Sequence, residues 1–134
     1  MRSPTLKGHS ILIVEDEAII VMDLTMALED AGAEVTSTGT LKHALLLVEH
    51  DGLSAAILDH GLKDGDSSLL SRRLKERGVP FLIYSGYTAE AIKQGVPYIS
   101  KPASHAELVA GVEDLIRSVG TPERERRRPI GVLG

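Results

Sequence analysis

A chain of 134 residues has room for one domain with a hydrophobic core of its own. It contains no cysteine, which excludes disulfides, thiolate catalysis and Cys-based zinc or iron–sulfur sites. The net charge of −4 offers no basic surface for nucleic acid, the amino terminus lacks a signal peptide's apolar stretch, and no apolar run approaches the ~18 residues that span a bilayer, so a soluble cytoplasmic protein is expected, without nucleic-acid or membrane partners.

The spacing predicts a strand followed by a helix five times over. Ser10–Val14 is an apolar run without alternation, the mark of a strand covered on both faces. A helix from about Glu17 to Ala31 follows, with a core stripe of Ile20, Leu24, Ala27, Leu28 and Ala31 and a stop at Gly32. Glu34–Thr38 reads as a strand with Val35 buried. Thr40 caps a second helix whose inner face is Leu41, Ala44, Leu45 and Val48. Ala55–Asp59 is the third strand, and a helix from about Asp66 to Arg77 comes after the loop Gly61-Leu62-Lys63-Asp64-Gly65. Val79-Pro80 opens the fourth strand, ending at Ser85. Only twelve residues, Gly86–Pro97, separate it from the fifth strand at Tyr98–Ser100, leaving two helical turns at about Ala89–Gln94, with Ala89, Ile92 and Val96 as the available apolar face. Ser104-His105-Ala106-Glu107 is a capping box for a last helix, with the stripe Leu108, Val112, Leu115, Ile116 and Val119. Residues 9–119 form the expected domain, preceded by an extension at 1–8 and followed by a flexible tail at 120–134. The arginine cluster of that tail, interrupted by two glutamates, reads as a solvated run.

Alternating strands and helices with buried strands require a parallel sheet covered on both sides. Five such units match the flavodoxin-like doubly wound (βα)5 fold, strand order 2-1-3-4-5, here with a shortened fourth helix. In that order the first and third strands are neighbours at the switch point, where ligands bind beyond the carboxyl ends. Glu15, Asp16 and Asp59 would then lie side by side, with Ser85 and Lys101 at the next two strand ends. Adjacent carboxylates in a crevice repel, and a hard divalent cation is the natural counter-charge, so the set reads as a Mg2+ and phosphoryl site. Taken singly, the acidic pair and Asp59 could serve a helix terminus or turn, Ser85 says little, and a lysine is commonly a solvated charge.

The chain resembles the receiver domain of bacterial response regulators, the phosphoacceptor module of two-component signalling. The resemblance rests on Glu15-Asp16 after the first strand, Asp59 after the third, Ser85 after the fourth and Lys101-Pro102 after the fifth. It implies that Asp59 accepts a phosphoryl group, that Glu15, Asp16, Asp59 and the Gly61 backbone carbonyl hold Mg2+, that Lys101 and Ser85 engage the phosphate, and that the Lys101–Pro102 bond is cis. The implied partners are a histidine kinase or phosphotransfer protein and an unidentified downstream protein. The domain would stand alone and would be no enzyme beyond catalysing its own phosphorylation and dephosphorylation. Serine replaces the commoner threonine, and Ala103 stands where many receivers carry phenylalanine, which reduces the expected contact with the fourth helix. Tyr84-Ser85-Gly86-Tyr87 is similar to single-domain receivers marked by Phe-Ala-Thr-Gly and a nearby tyrosine, and Tyr98 matches an aromatic position on the fifth strand. Ile19, Met22 and Met26 form a second stripe on the first helix, suited to docking the phosphoryl donor. None of His9, His43, His50 and His105 has a partner nameable from sequence, and His60 reads as an exposed loop residue. Two other functions compete: a pseudo-receiver that binds partners without phosphorylation, against which the complete acidic, hydroxyl and lysine set argues, and a small metal-dependent phosphatase, for which no acid/base or substrate region is found.

Overall fold

Apolar runs that do not alternate become inner strands here, and their two faces feed two cores. A computed structural model describes residues 5–59, 62, 65, 67–86 and 89–119. The elements run β1 (Ser10–Val14), α1 (Ala18–Asp30), β2 (Glu34–Thr38), α2 (Leu41–Leu47), β3 (Leu53–Leu58), α3 (Ser68–Glu76), β4 (Phe81–Ser85), α4 (Ala89–Gln94), β5 (Tyr98–Ser100) and α5 (His105–Val119). The sheet is parallel throughout, in the order β2-β1-β3-β4-β5. Ile11, Ile13, Ala55, Ile57, Leu82 and Tyr84 point to the layer of α1 and α5, whereas Leu12, Val14, Ala56, Leu58, Phe81 and Ile83 point to the layer containing α2, α3 and Ala91 of α4. Each buried Ile, Leu, Val or Phe among them contributes about 1.5–3 kcal/mol.

The local signals act as expected at both caps. The Thr40 hydroxyl accepts from the His43 N–H, and Ser104 and Glu107 satisfy each other's backbone N–H groups at 3.1 Å. Several particulars differ from the sequence expectation. α3 is shorter than 66–77, with Ser67 as its N-cap and Arg77 as its C-cap. Val35 is only half-buried because β2 is the sheet's edge. Val119, in the last turn of α5, is exposed. In α4 Ala91 is buried, while Ile92 faces solvent. Packing also begins before residue 9. Leu6 is buried in the α1–α5 layer and its N–H donates to the Ala31 carbonyl at 2.8 Å. This turn crosses Gly32, where a φ of +99° would strain any other residue and a β-carbon would crowd the Lys7 nitrogen at 3.0 Å.

Three histidines left unpartnered by the sequence reading have neighbours. His9 Nδ1 meets Ser54 Oγ at 2.9 Å, His43 Nδ1 meets Thr38 Oγ1 at 3.1 Å, and His105 Nε2 meets Asp23 Oδ1 at 2.7 Å, joining α5 to α1. No helix among the described residues is long and apolar enough to cross a membrane.

Candidate functional site

The register brings the strand ends level. Val14 pairs with Thr38 on one side and Leu58 on the other, so the residues that follow, Glu15 and Asp59, leave the sheet together. Backbone bonds extend the ladders by one step: the Glu15 N–H donates to the Thr38 carbonyl and the Asp59 N–H to the Val14 carbonyl, each at 3.0 Å. On the far side the Lys101 N–H donates to the Ser85 carbonyl at 3.0 Å, which ties the ends of β4 and β5. Lys101 directly follows β5, and the bond from it to Pro102 is cis.

Glu15, Asp16 and Asp59 converge so that one carboxylate oxygen from each lies within 4.8 Å of the others. Glu15 is 2% exposed and Asp59 7% exposed. Lys101 reaches across with its Nζ 2.9 Å from Glu15 Oε2 and 3.4 Å from Asp59 Oδ1. The other Glu15 oxygen accepts from the Glu17 N–H at 3.1 Å. Burial raises the Glu15 carboxyl above its ordinary range, against the opposing pull of the Lys101 hydrogen bond. Burial likewise disfavours the Lys101 ammonium, but the Glu15 hydrogen bond and the Asp59 charge outweigh it and hold the lysine above its usual value. Lys101 thus pairs with two of the three clustered carboxyl groups. Asp16 Oδ2 is buried without a hydrogen-bond partner among the described residues. An orphaned carboxylate oxygen beside two further carboxylates fits a hard divalent cation, which takes oxygen ligands.

The structure thus brings together Glu15, Asp16, Asp59 and Lys101 as expected and sets Ser85, buried, at the adjoining strand end. Gly61, Tyr87 and His60 lie outside the described residues, so the expected carbonyl ligand has no geometry here. Ala103 packs against the α1–α5 layer. Two neighbours of the site were missed. Gly39 backs onto Asp16, where a β-carbon would stand 3.4 Å from the Asp16 Cα. Tyr84 is buried beside Lys101, its ring centroid 5.6 Å from Nζ. The available signal for Tyr84 was a phenol within a wholly buried strand, because such a hydroxyl needs a partner. On α1, Ile19, Met22 and Met26 are 79%, 58% and 53% exposed, an apolar stripe outside the core.

Comparison with known proteins gives the same assignment. Residues 11–113 match the response regulator receiver domain. The chain is 35% identical to the KDP operon transcriptional regulatory protein KdpE of Escherichia coli K12, over 81% of this chain and 51% of that protein, so it spans about half of KdpE's length. Among solved structures it is similar to a response regulator receiver protein of Sinorhizobium medicae, with a TM-score of 0.77, 26% identity, and coverage of 85% of this chain and 98% of that one. The receiver domain of the sensor histidine kinase PA1611 of Pseudomonas aeruginosa, described with a magnesium ion in its active-site cleft, shares the fold at a TM-score of 0.74 and 24% identity, over 83% of this chain and 99% of that one. The chain belongs to the response regulator receiver domain family.

Proposed function

We propose that this receiver domain is a Mg2+-dependent phosphoacceptor, taking a phosphoryl group on Asp59 from the phosphohistidine of a histidine kinase or phosphotransfer protein. The observation that carries the reading is the convergence of three carboxylates, two of them paired with Lys101, with Asp16 Oδ2 buried and without a hydrogen-bond partner among the described residues. Glu15, Asp16 and Asp59 would hold the Mg2+, as their donor set fits; when bound, it would neutralise charge on the transferring oxygens.

In the transfer an Asp59 carboxylate oxygen forms a bond to phosphorus as the P–N bond to the donor imidazole breaks. The imidazole nitrogen keeps the electron pair of the broken bond and takes up a proton from solvent. Lys101 keeps its charge throughout, because the carboxylates beside it favour the ammonium form. Its nearer contact, Glu15, gives it a resting position from which Nζ can shift toward a phosphoryl oxygen on Asp59. Ser85 supplies a hydroxyl from the neighbouring strand end. The exposed Ile19, Met22 and Met26 stripe would receive the protein donor, and altered partner binding would carry the signal onward. The domain turns over no separate substrate and acts within the cytoplasm.

Melting with Mg2+, and then with Mg2+ and beryllofluoride, tests the reading. Wild type should rise at each step by an amount set by ligand excess over Kd. Asp16→Asn should melt higher than wild type without metal, since carboxylate repulsion is relieved, and should respond less to Mg2+. Equal Mg2+ responses in the two proteins would remove these acids from the metal site and favour a phosphorylation-independent interaction module.

A further inference from the structure

Tyr84 takes no part in the chemistry above, yet it meets the lysine segment twice. It is 4% exposed, on the β4 face that packs against α1 and α5. Its hydroxyl accepts a hydrogen bond from the Ala103 N–H at 3.1 Å, and its ring lies 5.6 Å from the Lys101 ammonium. The neighbouring residue of β4 adds a third hold, since the Ser85 carbonyl accepts from the Lys101 N–H. Residues 101–103 are therefore fixed from β4 at a backbone atom, a side-chain charge and a second backbone atom.

Such a hold has a physical purpose. Lysine loses much rotamer freedom when its four-carbon stem is fixed, so an ammonium left to itself spreads over many positions. β5 supplies little restraint, being three residues long with none of them fully buried. Phenylalanine at 84 would offer the ring without the acceptor, and an aliphatic residue would offer neither.

We propose that Tyr84 is a positioning residue for Lys101. The phenol fixes the backbone two residues beyond the lysine, and the ring face steadies the ammonium over the Glu15–Asp59 cleft, so Nζ is held ready before a phosphoryl group arrives. The proposal rests on the reading of Lys101 as the phosphoryl anchor. Tyr84 would then act on anion engagement and leave the carboxylates' affinity for metal unchanged.

The test uses the full chain as wild type, Tyr84→Phe and Tyr84→Leu, with two affinities measured on each: Mg2+ alone, and beryllofluoride at saturating Mg2+. Mg2+ affinity should stay within about twofold, because no metal ligand is touched. Beryllofluoride should bind about threefold more weakly to Tyr84→Phe, the worth of one hydrogen bond, and about tenfold or more weakly to Tyr84→Leu, which also loses the ring. The Ala103 amide resonance should move in Tyr84→Phe. Unchanged beryllofluoride affinity in both variants would make Tyr84 a core residue only and overturn the proposal. A parallel loss of Mg2+ and beryllofluoride affinity would also overturn it, as the mark of general loosening. If Tyr84→Leu does not fold, Tyr84→Phe decides alone. Failure of wild type itself to bind beryllofluoride would instead strike the acceptor reading, and this proposal with it.

Discussion

The two sides of the cleft are held in very different ways. Glu15 and Asp59 leave β1 and β3, central strands whose residues Ile11–Val14 and Ala55–Leu58 are buried on both faces. Lys101 leaves β5, an edge strand of three residues with none fully buried, next to the six-residue α4. A cleft of about 540 Å3 opens along that edge, lined by Pro97, Tyr98, Ile99 and α5. The acids are thus set by the core, whereas the cation is set by a few specific contacts at the margin. On the proposed reading, a phosphoryl group drawing on Lys101 and Ser85 would pull on the side of the molecule with less to hold it, where a surface change would cost little.

The largest expected effect contrasts the two sides directly. Ile13→Ala, in the centre of β1, should cost about 2–5 kcal/mol in urea unfolding, the range for an emptied aliphatic core position. Ile92→Ala, at an exposed position of α4, should stay within about 0.5 kcal/mol. Similar losses would erase the distinction. Amide exchange sharpens it further: residues 91–96 should exchange about tenfold or more faster than α1, and beryllofluoride should change their protection. Protection already equal to that of α1, and indifferent to the mimic, would remove this edge as the responding element. The smallest effect on stability belongs to the α1 stripe. Ile19→Asp and Met26→Asp should leave unfolding within about 0.5 kcal/mol, since both side chains are exposed. Phosphotransfer from a cognate kinase should slow while phosphorylation by acetyl phosphate stays intact. Comparable loss with both donors would place the stripe in the chemistry and not in docking.

The same contrast governs how much of the molecule was legible in its sequence. The strand bounds of β1, the Thr40 cap, the Ser104–Glu107 box and the limits of α4 follow from local chemistry, and they stand as read. The acid cluster was legible because burial on both faces writes an unbroken apolar run, and Glu15-Asp16 and Asp59 stand where two such runs end. Periodicity failed where the element was too short or lay at a margin. Six residues of α4 cannot fix a helical phase, so Ile92 was assigned inward although it is exposed and Ala91 is buried. Val35 and Val119 sit at a sheet edge and a helix end, where an apolar side chain need not be covered. Contacts across long separations left no local trace: Leu6 against Ala31, His105 against Asp23, and Tyr84 against Ala103.

The central claim is that Asp59 accepts a phosphoryl group, and labelling tests it most directly. Wild type incubated with Mg2+ and acetyl phosphate should gain one phosphoryl group, labile to alkali and hydroxylamine as an acyl phosphate is, while Asp59→Asn should gain none because an amide is not a nucleophile at neutral pH. Equal labelling of Asp59→Asn would place the acceptor elsewhere and contradict the account.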